Sequence, residues 1–164
     1  MLLFDQHLSS ETPATLEIAF TFEERERSQL RFHLPDGQEA AFRIERGTTL
    51  TVGDKLGTTD GLVLEIQAKP EDLMEVQAQH PLDLIRAAYH LGNRHVRLQI
   101  GEGWLRLPSD YVLEEMLIHI GVSVTKVIAP YQPEAGAYGG GHHHSHRDQG
   151  EFHYEAKLHH FHDH

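Results

Sequence analysis

A chain of 164 residues with 39% hydrophobic side chains carries enough apolar material for one ordinary domain or two small ones. Its formal charge is −11, with seven basic against 14 acidic residues in 1–72, and no stretch holds the basic excess that phosphate backbones require; this argues against a nucleic-acid partner. Cysteine is absent, which removes disulfides, thiolate nucleophiles and cysteine metal sites together, so any metal must be held by imidazole, carboxylate or water.

The opening MLLFDQHLSS is too short in apolar residues for a secretory signal or a membrane span, and cytoplasmic residence is the expectation. Leu16, Ile18, Phe20 and Phe22 alternate in the manner of a strand, as do Leu30, Phe32 and Leu34, with the charged EERER between them. Pro35-Asp36-Gly37 is a turn leading to Ala40, Phe42 and Ile44, and further Gly-punctuated runs end in LVLEIQA. Residues 1–72 therefore read as an all-β domain.

Beyond Pro70 the pattern changes. MEVQAQ is strand-like, and Pro81 stands at the first position of a helix over PLDLIRAAYHLGN, in which Leu82, Ile85, Ala88 and Tyr89 recur at helical spacing and Gly92-Asn93 marks the end. VRLQI and WLRLP flank Gly101-Glu102-Gly103 as a hairpin. Ser109 or Asp110 then caps a second helix that points Val112, Leu113, Met116, Leu117 and Ile120 inward; Gly121 closes it and VSVTKVIAP forms a last strand. The order β-α-β-β-α-β over 73–135 is that of a ferredoxin-like domain. The fold class is thus α+β. Pro130 to Gly141 reads as a linker, and residues 136–164, a glycine-rich link and a histidine-rich tail without apolar periodicity, are expected to be disordered in the absence of metal.

That tail contains His142, His143, His144, His146, His153, His159, His160, His162 and His164, nine of the chain's fifteen histidines. Imidazole, with an ordinary pKa near 6.5, is largely neutral at cytoplasmic pH and offers a lone pair to Ni2+, Cu2+ or Zn2+. The HHHSH and HHFHDH spacings let several rings reach one ion, so multivalent, exchangeable capture is expected. A purification tag or compositional bias is the competing reading; the interleaved Ser145, Arg147, Asp148, Phe152, Tyr154 and Lys157 speak against an added tag. Composition does not choose the metal.

His95, between the first helix and the next strand, is a second candidate ligand. A lone histidine there more often caps the preceding carbonyls, but a two-fold dimer would bring two copies together. His119 is expected on the solvent side of the second helix, His90 beside Tyr89 either shares the edge of His95 or is plain surface, and His7, His33 and His80 show no partner. No HExxH, GxGxxG, P-loop, G-x-S-x-G or paired-carboxylate pattern occurs in a plausible context, and VRLQI lacks the stacking aromatics of an RNA-binding module of the same element order. An enzyme is not expected.

On GNRHV at 92–96, DYVLEEML at 110–117, PEAGAYGGGH at 133–142 and the histidine tail, in that order after a β-rich half, the chain resembles the urease accessory metallochaperone family UreE over essentially its whole length. The resemblance implies a peptide-binding-like N-terminal domain and a ferredoxin-like metal-binding domain that joins a homodimer. It further implies that His95 of both subunits binds one nickel, with tail histidines completing or feeding that site. It implies delivery of Ni2+ to urease apoprotein within an accessory complex that includes a GTPase. Relatives with a peripheral site place histidines on both sides of the aspartate that opens the second helix; Ser109 and Tyr111 stand there in this chain, leaving Asp110 as a cap. A cytoplasmic metal buffer or storage protein with no delivery role is the alternative.

Overall fold

The computed structural model describes residues 1–136, so the histidine tail, from His142 to His164, lies outside the described residues. Eleven strands and three helices make an α+β fold among them. Seven strands fall in the first half: β1 (Leu2–Phe4), β2 (Gln6–Leu8), β3 (Leu16–Phe20), β4 (Gln29–His33), β5 (Glu39–Arg43), β6 (Lys55–Gly57) and β7 (Val63–Ala68). They build a three-stranded sheet in the order β1-β5-β4 and a four-stranded sheet in the order β2-β6-β7-β3. Phe4 and Phe42 from the first sheet and Phe20, Leu56, Leu64 and Ile66 from the second share one buried cluster with Leu50. Phe20 meets Phe32 edge-on at 5.1 Å and Phe42 at 5.5 Å, the geometry that aromatic quadrupoles favour.

One expectation for this half needs correction. The strand around Leu16 stops at Phe20, and Phe22 opens a four-residue helical turn, α1 (Phe22–Arg25). A capping box makes it: the Glu24 amide donates to Thr21 Oγ1 at 3.2 Å, and the Thr21 amide donates to Glu24 Oε2 at 2.8 Å. The first eight residues, which carry no strong strand pattern, form β1 and β2 because β5 and β6 offer them pairing edges.

The second half contains β8 (Pro70–Gln77), α2 (Pro81–Asn93), β9 (Gln99–Gly101), β10 (Trp104–Pro108), α3 (Tyr111–Ile120) and β11 (Ser123–Pro130). Its sheet runs β11-β8-β10-β9 with every neighbour antiparallel. The register Leu105↔Val76 and Leu107↔Met74 sets four apolar side chains on one face. Ala87 and Leu91 of α2 and Leu117 of α3 bury against that face, so both helices lie on one side of the sheet. The small Ala87 allows close approach of helix to sheet. Asp110 caps α3 by accepting from the Leu113 amide at 2.9 Å, a contact that stabilises by about 1 kcal/mol, and Gly121 ends it in the left-handed conformation at φ 97°.

The apolar periodicity of α2 divides between two faces. Leu84, Ala87, Ala88 and Leu91 face the core, whereas Leu82, Ile85 and Tyr89 are 55%, 65% and 65% exposed. Val112 of α3, expected inward, is also exposed, because it sits one residue off the face formed by Leu113, Met116, Leu117 and Ile120. In VRLQI only Gln99 onward pairs as a strand; Val96 and Leu98 pack into the helix–sheet core instead. The stretch read as a linker from Pro130 is packed at its start: Tyr131 is buried, and through Glu134 the chain is hydrogen-bonded to residues 97–99.

Candidate metal centre

Helix α2 ends in a way that singles out one histidine. Arg94 is its cap; the His95 amide donates to Gly92 O at 3.0 Å and the Val96 amide to Leu91 O at 3.1 Å. This pair of bonds closes a helix on a left-handed residue, a place where glycine is the usual occupant. Val96 then packs back toward the core cluster containing Leu91, the hydrophobic contact that accompanies this cap. The left-handed residue here is His95, at φ 57°, the only non-glycine with positive φ among the described residues. A side chain in that conformation costs about 1 kcal/mol relative to glycine. The fold accepts that cost and holds an exposed imidazole at a fixed helix end.

His95 lines a cleft of about 1940 Å³ between the two halves of the chain. Val96, Arg97, Leu98, His7, Glu11 and Gln132 to Gly136 also line it. His7, for which the sequence offered no partner, thus faces the same cleft; no local pattern could have revealed this, because it depends on the pairing of β2 with β6. His90 is exposed, with its ring 5.4 Å from that of Tyr89, and His119 is exposed at the end of α3. Among the described residues no three His, Asp or Glu side chains converge into a set able to hold a metal. His95 therefore lacks a complete ligand set within the described part of one chain. His142, His143, His144, His146, His153, His159, His160, His162 and His164, read as tail ligands, lie outside the described residues.

Contacts between the two halves centre on α1, whose Phe22 and Arg25 also line the cleft. The Phe22 amide donates to Glu71 Oε2 at 3.0 Å, Glu26 pairs with Arg97, and the Arg97 guanidinium lies over the Phe22 ring at 5.3 Å. Tyr131 packs edge-on against Phe22 at 5.5 Å and donates its hydroxyl to Arg97 O at 2.6 Å. Arg25, 1% exposed, donates to Leu50 O and to Tyr131 O. Burial lowers its pKa from the ordinary guanidinium value, opposed by the nearby Glu71 and Glu26.

Burial likewise pushes the Tyr131 phenol up to about 12, helped by Glu71 and Glu26 and opposed by Arg97. The unfolded chain loses this proton near pH 10 and the folded one only near 12, so stability is untouched below pH 10 and falls as pH rises between those values. Unfolding midpoints measured from pH 9 to 12 should drop more steeply for the native chain than for Tyr131→Phe; identical pH profiles would refute this.

Similarity to known proteins agrees with this architecture. The N-terminal domain model of the UreE urease accessory protein matches residues 5–69 and the C-terminal domain model of the same protein matches residues 71–164. The chain is 68% identical to the urease accessory protein UreE of Nitrosococcus oceani, over 98% of each chain. It is 49% identical to that of Ectopseudomonas mendocina and 48% identical to that of Azotobacter vinelandii, again over 98% of each. With both domain models matched in order and relatives aligned end to end, the chain belongs to the UreE family of urease accessory proteins, a family of accessory proteins and not of enzymes.

Proposed function

We propose that this protein is a nickel-binding metallochaperone that delivers Ni2+ to apo-urease during active-site assembly. The observation that carries the reading is the left-handed backbone of His95, where an imidazole is kept at a position suited to glycine. Two further features support it. The described residues supply no complete ligand set, so His95 needs donors from elsewhere. And Gly136, from which the chain continues toward the histidine tail, lines the same cleft.

In this scheme tail histidines collect the ion, and His95 of two subunits receives it. A homodimer is supported by the apolar stripe of Leu82, Ile85 and Tyr89, which runs along the outer face of α2, the helix that His95 follows. An isologous contact along such a stripe would bring two copies of that helix end toward one axis. In this reading the domain serving this role spans 73–135, follows an N-terminal domain of 1–72 and is ferredoxin-like, which the antiparallel order β11-β8-β10-β9 supports. Handover exchanges imidazoles one at a time, so the ion never loses all its ligands, and the recipients are the urease apoprotein and its accessory GTPase in the cytoplasm. No helix among the described residues is long and apolar enough to cross a membrane. Cu2+ and Zn2+ compete for the same nitrogens, and Cu2+ outranks Ni2+ in intrinsic affinity.

A urease activation assay separates delivery from storage. Delivery predicts that His95→Ala lowers activation even with the tail intact. If only loss of the tail after Gly141 matters, the protein is a buffer. Protons and metal compete for imidazole, so nickel affinity should fall as pH drops below about 6.5. Titrations showing equal affinity at pH 8 and 5.5 would point to carboxylate ligands in place of histidine.

A further inference from the structure

Tyr131 is the first residue after β11, and its surroundings are those of an anchor, not a linker. It is 3% exposed. Its ring packs on Phe22, its hydroxyl donates to Arg97 O, and its carbonyl accepts from the buried Arg25. The next residues follow the same wall: the Gln132 amide donates to Gln99 Oε1 at 3.1 Å and the Glu134 amide to Leu98 O at 2.7 Å. Residues 131–134 are thereby tied to 97–99, just beyond His95, and Gly136 and His95 line one cleft.

We infer that Tyr131 is a positioning residue for metal transfer: with Arg25 and Arg97 it fixes the root of the histidine tail along the His95 cleft. The inference rests on the reading that tail histidines and His95 serve the same ion. His142 lies eight residues after Glu134, the last of the tied residues. Whatever their conformation, eight residues span at most about 28 Å, so a root held at the cleft keeps the first tail histidines within that radius of it. Released at Pro130, the tether to His142 becomes twelve residues. Local concentration falls as roughly the −3/2 power of tether length, so lengthening the tether from eight residues to twelve lowers it about two-fold. The anchor raises the encounter frequency of tail and site without touching the metal.

The test is a set of nickel titrations on the full chain and on the chain ending at Gly141, each with native Tyr131, with Tyr131→Ala and with Glu134→Pro. Glu134 is exposed, and proline there removes only the amide that bonds Leu98 O, so this variant keeps its fold if Tyr131→Ala does not. Tyr131→Ala should raise the nickel Kd of the full chain about two-fold, Glu134→Pro, which leaves Gln132 tied, by a smaller factor, and both should leave that of the shortened chain unchanged. Hydrogen exchange of the metal-free protein gives a second reading: the Glu134 amide should be protected in the native chain and exposed to exchange in Tyr131→Ala. Equal shifts in both chain lengths would show that Tyr131 acts only through the fold and would overturn the proposal, as would no shift in either. If shortening the native chain leaves its Kd unaltered, the shared-ion reading fails and the anchor's role falls with it.

Discussion

Replacing His95 with glycine should make the protein more stable and a poorer nickel binder in the same step. Glycine is the natural occupant of a left-handed helix end, and removal of the side chain relieves about 1 kcal/mol of backbone cost, partly offset by the greater freedom of glycine in the unfolded chain. The two closing hydrogen bonds, from the amides of residues 95 and 96, are backbone bonds and survive the change. The net gain should appear as a rise of roughly 1–3 °C in unfolding midpoint for a chain of this size. Nickel affinity should move the other way. Disturbing a mere outer-shell partner of a metal site costs 10–100-fold, so loss of a ligand from each subunit should cost roughly 100-fold or more. His95→Ala should lose nickel equally without gaining stability, since alanine retains the Cβ that the left-handed conformation disfavours. A glycine variant that binds nickel as the native chain does would remove His95 from the metal site.

Arg25→Ala should produce the largest loss of stability of any single change considered. The guanidinium is buried, bonds two backbone carbonyls that belong to different parts of the chain, and stacks at 5.4 Å over Phe22. Its Nε has no partner, so the buried charge is incompletely satisfied even in the native state. Truncation leaves Leu50 O and Tyr131 O without their donor and a void beside Phe22, a combination that costs about 3–5 kcal/mol. The midpoint should fall by on the order of 10 °C. Arg25→Met, which keeps much of the stem's volume but none of the donors, should fall between. A midpoint for Arg25→Ala within 2 °C or so of native would mean that these contacts contribute little.

How far the sequence could be read depended on whether each signal was local. Helix α2 was legible to the residue because Pro81 fits the first helical position and Gly92-Asn93 interrupts the pattern. The cap at Asp110 and the stop at Gly121 were legible for the same reason. The Thr21–Glu24 capping box was equally local, but the preceding alternation of Leu16, Ile18 and Phe20 drew Phe22 into a strand that ends at Phe20. The strands at Leu2–Phe4 and Gln6–Leu8 were not legible, because three-residue strands owe their existence to partners around residues 40 and 56.

Periodicity showed that α2 is amphipathic but could not choose between its two apolar faces. The choice rests on Ala87, whose small size suits the side facing the sheet, and leaves Leu82, Ile85 and Tyr89 outside. At the candidate site, His95 was readable as a helix-end residue, but its left-handed backbone was not, since only glycine announces that conformation in a sequence. Tyr131 lay in a stretch rich in proline and glycine, and its burial follows from Phe22 and Arg25 more than a hundred residues earlier.

The central claim is that two copies of His95 share one nickel across a dimer. Its most direct test is calorimetric nickel titration of the chain ending at Gly141, with molecular mass measured on the same samples. A dimer that binds one nickel per two chains, and loses that binding on His95→Ala while remaining a dimer, is the predicted result. One nickel per chain, or binding that His95→Ala leaves unchanged, would contradict it.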